Sequence, residues 1–183
     1  EPAHDLTPRE LKRGRILRAA IEVFASKGFF SARMNDVAKT AEVADGTLYL
    51  YFEGKEHLLE SVFDDVLGRF IDLLETELQG LEDPVEKLRT MIRLHLDKVG
   101  QDRALAHVLQ IETRHSRRFM HLFTRGKLGV YLSLLRGIIE AQDGVRFDRA
   151  HFAKYGAFSL DFEIVYHVLS PDYGRYMDVQ QAI

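Results

Sequence analysis

One segment constrains this chain more than any other: Val43-Ala44-Asp45-Gly46-Thr47-Leu48-Tyr49-Leu50-Tyr51-Phe52, followed by Lys55-Glu56. It reads as a short helix, anchored by Leu48 and Phe52 at i and i+4, yet too polar and too rich in Gly and Tyr to be simple core. It lies between two amphipathic helical patterns near the start of a chain with no convincing strand pattern. A short helix in that setting is what a helix-turn-helix protein inserts into the DNA major groove. The remainder is then expected to sense a ligand and to dimerise.

Bulk properties narrow the class without deciding it. The 183 residues, 46% hydrophobic, suffice for a real core. Net charge is only −3, and residues 1–55 hold nine Lys/Arg against eight Asp/Glu, while residues 56–183 hold sixteen against twenty. This asymmetry is too weak to announce a nucleic-acid partner. The chain has no cysteine, which removes disulfides, thiolate metal sites and thiol catalysis together. No apolar run approaches the ~20 residues of a membrane span, and no signal-peptide pattern opens the chain. A soluble cytoplasmic protein without a membrane partner is expected. The chain opens on Glu1 and closes on Ile183, so trimming at either end stays open.

The fold class read from these patterns is all-α. Thr7-Pro8-Arg9-Glu10 forms a capping box with Pro at N1, and the helix it opens buries Ile16, Leu17, Ala20, Ile21 and Phe24 before Gly28. Met34, Val37, Ala38 and Ala41 mark a second helix, Glu42-Val43 a turn, and Asp45 to about Phe52 a third. A long fourth helix runs from Leu58 to Leu78, and Asp83-Pro84-Val85-Glu86 caps a fifth. Helical patterns continue to about Gln142, with a break near Arg114–Arg117. After a turn at Asp143-Gly144, a helix from about Asp148 to Leu169 is apolar on nearly every side. A helix of that kind is buried on two faces, one against its own core and one against a second subunit. Phe158, Phe162, Val165, Tyr166 and Leu169 are its expected dimer contacts. Ser170-Pro171 opens a last helix.

A DNA reader needs a rigid three-helix core and slender polar groups that reach phosphates or base edges. Gly46 and Thr47 supply close approach and a hydroxyl, Tyr49 and Tyr51 supply further hydroxyls, and Lys55 a cation. Half-buried packing is the alternative role for the tyrosines. Arg33, Ala44, Asp45 and Leu50 complete the expected DNA-facing set.

In the stretch Ile16–Val62, and above all in Gly46-Thr47-Leu48-Tyr49-x-Tyr51-Phe52-x-x-Lys55-Glu56, the chain resembles the TetR family of transcriptional repressors. Val43–Phe52 is most similar to that family's fatty-acid-degradation regulators. The resemblance implies a homodimer, DNA binding relieved by an effector, a helix-turn-helix domain over residues 1–55 and a helical ligand-binding and dimerisation domain over residues 56–183. It further implies phosphate contacts from Thr47, Tyr49, Tyr51 and Lys55, with Asp45 and Gly46 near the bases. Two departures stand out. Glu42 occupies the turn position usually held by Gly, at a cost of about 1 kcal/mol if left-handed. Ala44 replaces the usual N-cap Ser, which leaves Asp45 as a possible cap.

Farther along, Arg114, Arg118, His121 and Arg125 form one helical stripe beside Phe119, Leu122 and Phe123. A basic rim beside an apolar interior suits an anionic amphiphile, and long-chain acyl-CoA fits best. On residue types alone, a solvated basic face paired with nearby acids is favoured about two to one. Gln110–Ser116 also resembles the fatty-acid-degradation regulators, and that resemblance makes acyl-CoA the leading effector. The expected effector set is Phe70, His95, Val99, His107, Ile111, Arg114, Arg118, Phe119, Leu122, Phe123 and Tyr131. His95 and His107 read equally as polar edges of the core. Another amphiphile or a drug-like molecule would suit the same design. A ferritin-like metal–carboxylate bundle is remote: Glu112-x-x-His115 has the spacing, but Glu163-x-x-x-His167 does not. No catalytic fingerprint argues for an enzyme, and no cofactor is expected.

Overall fold

The structure, a computed structural model, describes residues 7–111, 126–155 and 160–182. Its elements are α1 (Pro8–Lys27), α2 (Met34–Thr40), α3 (Asp45–Tyr49), α4 (Lys55–Leu78), α5 (Pro84–Gln101), α6 (Arg103–Ile111), α7 (Lys127–Glu140), β1 (Val145–Tyr155), β2 (Leu160–Val168) and α8 (Tyr173–Ala182). They form two compact units, one within Glu1–Val66 and Asp102–Met120, the other within Leu67–Gln101 and His121–Ile183. Among the described residues, no helix is long and apolar enough to cross a membrane.

The first unit starts from the capping box. Thr7 Oγ1 accepts from the Glu10 N–H at 3.3 Å, and Glu10 Oε2 accepts from the Thr7 N–H at 2.7 Å. Ile16, Leu17, Ala20, Ile21 and Phe24 are all buried, as their three- and four-residue spacing predicts. Gly28 ends α1 at φ 74°, donating its N–H to the Phe24 carbonyl at 2.9 Å. At the start of α2, the Asp36 carboxylate accepts from Lys27 Nζ at 2.8 Å and from the Arg33 N–H at 3.0 Å. Those bonds hold its pKa below the usual carboxylate value, the lysine contributing most. α6 packs on α1 and buries Val108.

The second unit closes around Leu74, Leu88, Met91, Leu135, Ile138, Ile139, Val145 and Val179. Asp83 caps α5 through its carboxylate, which accepts from the Val85 N–H at 3.1 Å. Gly144 makes the expected turn at φ 72°. The last helix begins at Tyr173, with the Asp172 carboxylate accepting from the Gly174 N–H at 2.8 Å, rather than at Ser170.

The helix expected over 148–169 is not formed. β1 and β2 pair antiparallel there, with His151 opposite Glu163 and Arg146 opposite His167. The reason lies in the pairing. Apart from Val165, β2 alternates apolar and polar residues at a period of two, with Ile164, Tyr166 and Val168 packed on the unit's core. β1 carries register shifts between Phe147 and Arg149 and between Phe152 and Lys154. Each shift breaks the alternation, so the apolar residues scatter as they would around a fully buried helix. Of the expected dimer contacts, Val165 and Tyr166 are half-buried on β2, Leu169 is 63% exposed, Phe162 lies on β2, and Phe158 falls outside the described residues.

Candidate functional site

α2 and α3 are joined by a turn at Ala41–Ala44 that fixes the angle between them. Glu42 sits at φ 53°, the left-handed conformation a Gly would occupy freely. The Glu42 N–H reaches the Lys39 carbonyl at 3.2 Å and the Val43 N–H the Ala38 carbonyl at 3.0 Å, so the end of α2 is satisfied. Ala44 is the N-cap of α3 and offers no side-chain cap; Asp45 is the first helical residue, not the cap.

α3 is shorter than the sequence predicts. It ends at Tyr49, and the Tyr51 and Phe52 N–H groups close a tight turn on the Leu48 carbonyl, each at 3.1 Å. Leu48 and Phe52 are fully sunk, at 0% and 1% exposure, and hold α3 to its scaffold. The opposite side faces outward: Asp45 and Gly46 are exposed, Tyr49 is 56% exposed and Leu50 77%. Nothing lies within 4 Å of where a Gly46 Cβ would stand, so this face is open. Thr47 and Tyr51 are half-buried at its margins. Phe52 is braced by the His57 ring, edge-on at 5.9 Å, and by the Arg13 guanidinium at 5.8 Å. His57 Nδ1 also accepts from the Glu53 N–H at 3.2 Å. Arg9 lies over Tyr51 at 5.9 Å.

Two polar contacts were not legible in the sequence. Asn35, in the first turn of α2, donates its side-chain amide to Asp45 Oδ2 at 2.5 Å. Lys55 donates to the carbonyls of Phe30 at 3.0 Å and Ala32 at 3.1 Å, and its ammonium stands 4.7 Å from the Phe29 ring centroid. Both join residues at least ten positions apart, beyond any local periodicity. Arg33 is exposed at the N-cap of α2.

Of the expected effector residues, three meet in the second unit. The Phe70 ring centroid lies 5.8 Å from His95 and 6.1 Å from Tyr131, with His95 and Tyr131 6.3 Å apart. Desolvation in this cluster lowers the His95 pKa and raises that of Tyr131. Val99 lies on α5, and His107 is exposed on α6, which also carries Ile111. Arg114, Arg118, Phe119, Leu122 and Phe123 lie outside the described residues, as do Glu112 and His115 of the metal alternative. Glu163 faces His151 at 3.3 Å, and among the described residues no group of three or more His, Asp or Glu side chains is arranged to hold a metal ion.

An exposed short helix, set by a left-handed turn on a buried three-helix scaffold, is a helix-turn-helix arrangement, the class of fold that DNA-binding regulators use. Comparison with known proteins agrees. Residues 16–62 match the family described as "Bacterial regulatory proteins, tetR family", and residues 63–152 match "YsiA-like protein, C-terminal region". The fatty acid metabolism regulator protein of Bacillus subtilis is 38% identical over 124 residues, 68% of this chain. The matched stretch is 64% of that relative, so the chain spans less than two thirds of its length. The fatty acid degradation regulator FadR of Bacillus halodurans superposes with a TM-score of 0.66 at 34% identity, covering 74% of this chain and 68% of its own. FadR of B. subtilis, solved in complex with stearoyl-CoA, gives a TM-score of 0.66 at 37% identity, covering 69% and 68%. This chain belongs to the TetR family of bacterial transcriptional regulators. Its fold is the family's all-α fold, N-terminal helix-turn-helix and C-terminal helical domain, departing from it in the 145–168 hairpin.

Proposed function

We propose that this protein is a homodimeric, ligand-responsive transcriptional repressor acting in the cytoplasm on a palindromic DNA operator, and that a long-chain acyl-CoA releases it. The reader is assigned to residues 1–55 and the sensor to residues 56–183. The observation that carries the reading is the open face of α3, Asp45-Gly46-Tyr49-Leu50, held out by buried Leu48 and Phe52. Arg33, Thr47, Tyr51 and Lys55 flank it as phosphate partners, with Ala44 at the helix start. The effector assignment draws support from the 37% identity to the B. subtilis regulator whose structure holds stearoyl-CoA.

In a two-fold dimer the two readers lie about one DNA turn apart, or a multiple of it, and a palindrome mirrors the symmetry. Ligand bound in the sensor tilts the fourth helix and changes that spacing. Only an effector with unequal affinity for the two states drives such a change.

The test is a series of thermal melts with acyl-CoAs of increasing chain length, using free CoA and free fatty acids as controls. An effector at a hundred times its dissociation constant stabilises the fold by about 2.7 kcal/mol. A rise that grows with chain length and needs the CoA head carries the reading, and Arg114→Ala or Arg118→Ala then diminishes it. No shift from any of them removes acyl-CoA as the effector.

A further inference from the structure

Asp45 is an unusual group to hold against DNA. In the first turn of α3 the helix dipole favours a carboxylate, but on an open reading face it is repelled by phosphates unless the groove offers it a proton donor. Here the side chain is also not free to turn away. Asn35, from the neighbouring helix, donates to Oδ2 at 2.5 Å, which fixes the carboxylate at one edge of the exposed face and leaves Oδ1 to accept elsewhere. Both residues are exposed, so this bond does not serve the core. Gly46 beside it adds no bulk, and a Cβ there would meet nothing within 4 Å.

In the major groove, guanine and the thymine O4 present acceptors, which repel a carboxylate. Only cytosine N4 and adenine N6 present donors. Adenine carries the N7 acceptor on the same edge, against the second carboxylate oxygen, whereas cytosine offers its amino group alone. We infer that Asp45, oriented by Asn35, is a specificity determinant that selects a cytosine in each half-site. Asn35 is its positioning residue and itself touches no base. This inference rests on the proposed DNA reading and goes beyond it by naming the base.

The experiment is selection from a random double-stranded oligonucleotide pool with the intact protein and with Asp45→Ala, Asp45→Asn and Asn35→Ala. Both positions are on the surface, and melts of each of the three variants establish that folding is intact. The wild type is expected to enrich a palindrome with one C·G pair per half-site preferred roughly tenfold, the ordinary scale for one read base pair. Asp45→Ala loses the preference at that pair alone. Asp45→Asn moves it toward adenine, which an amide reads through N6 and N7. Asn35→Ala weakens it at the same pair and nowhere else, a change that general loss of structure would not produce. If the wild type enriches a palindrome and both alanine variants enrich it unchanged, Asp45 reads nothing and the inference is overturned while the repressor stands. If the wild type enriches no sequence, the DNA reading itself fails and the inference falls with it.

Discussion

The Lys55 ammonium, on the first residue of α4, donates to the Ala32 carbonyl across the end of the α1–α2 connection at 3.1 Å. It also takes the Phe30 carbonyl at 3.0 Å and stands over the Phe29 ring. Two of its three N–H donors are thereby committed to protein, and one remains for a phosphate. The same cation clamps the loop before α2 and, in the proposed DNA complex, offers charge to a phosphate. Lys55→Ala is expected to destabilise the fold by about 1 kcal/mol, because two carbonyls lose a charged donor near solvent. It should also reduce the slope of log affinity against log salt by about 0.9. Lys55→Arg keeps the charge but misfits the paired carbonyls, so stability falls and the slope stays. Melts and salt titrations of operator binding separate the two roles; an unchanged slope in Lys55→Ala leaves only the clamp.

Glu42 pays a conformational cost for its place in the turn. At φ 53° its Cβ crowds the backbone, whereas Gly accepts this geometry. Glu42→Gly is expected to stabilise the protein by about 1 kcal/mol, a rise of roughly 2–4 °C in a chain of this size. Calorimetry checks it, and a fall would mean that the Glu42 side chain contributes more than its backbone costs.

Much of the helix-turn-helix was legible because its signals are local. The Thr7–Glu10 box, the three-four spacing of Ile16 to Phe24 and the Leu48–Phe52 anchors each declare themselves within five residues or through a simple period. In the second unit Phe70, His95 and Tyr131, grouped by sequence among the expected effector residues, lie together as rings. Asn35 on Asp45 and Lys55 on Ala32 were not, since these contacts form only once the helices have packed. Residues 145–168 misled for a different reason. Bulges erase the period-two pattern of β1, and Val165 interrupts that of β2, so taken together the apolar residues resemble those of a helix apolar on nearly every side.

His95 is exposed at the edge of the Phe70–Tyr131 pair, so solvent weakens the pH dependence that its partial desolvation sets. Desolvation lowers the His95 pKa in the folded state from its ordinary value near 6.5, so the unfolded chain binds the proton first. The contribution of neutral His95 is fully present above pH 6.5 and is lost as pH falls through that value towards the folded pKa. Melting temperatures between pH 8 and pH 5 should therefore drop more for wild type than for His95→Phe, which keeps an aromatic ring against Phe70. Parallel curves would mean the imidazole is effectively solvated.

The hairpin makes the sharpest geometric prediction. His151 and Glu163 are direct cross-strand partners, with the imidazole and carboxylate 3.3 Å apart. Opposed residues of an antiparallel pair have Cα atoms about 4.5–5.5 Å apart, inside the range a disulfide spans. On a continuous helix the same two residues would be about 18 Å apart and could not be bridged. Since the chain has no cysteine of its own, the double substitution His151→Cys and Glu163→Cys introduces the only thiols. Mild oxidation of the monomeric fraction is expected to give an intramolecular disulfide, read by mass and by faster migration on a non-reducing gel. A loop of that length adds up to about 3 kcal/mol of stability in the chain-entropy account. Failure to close within one chain, with dimers cross-linked instead, would return this segment to a helix and to the subunit interface that its apolar faces predict.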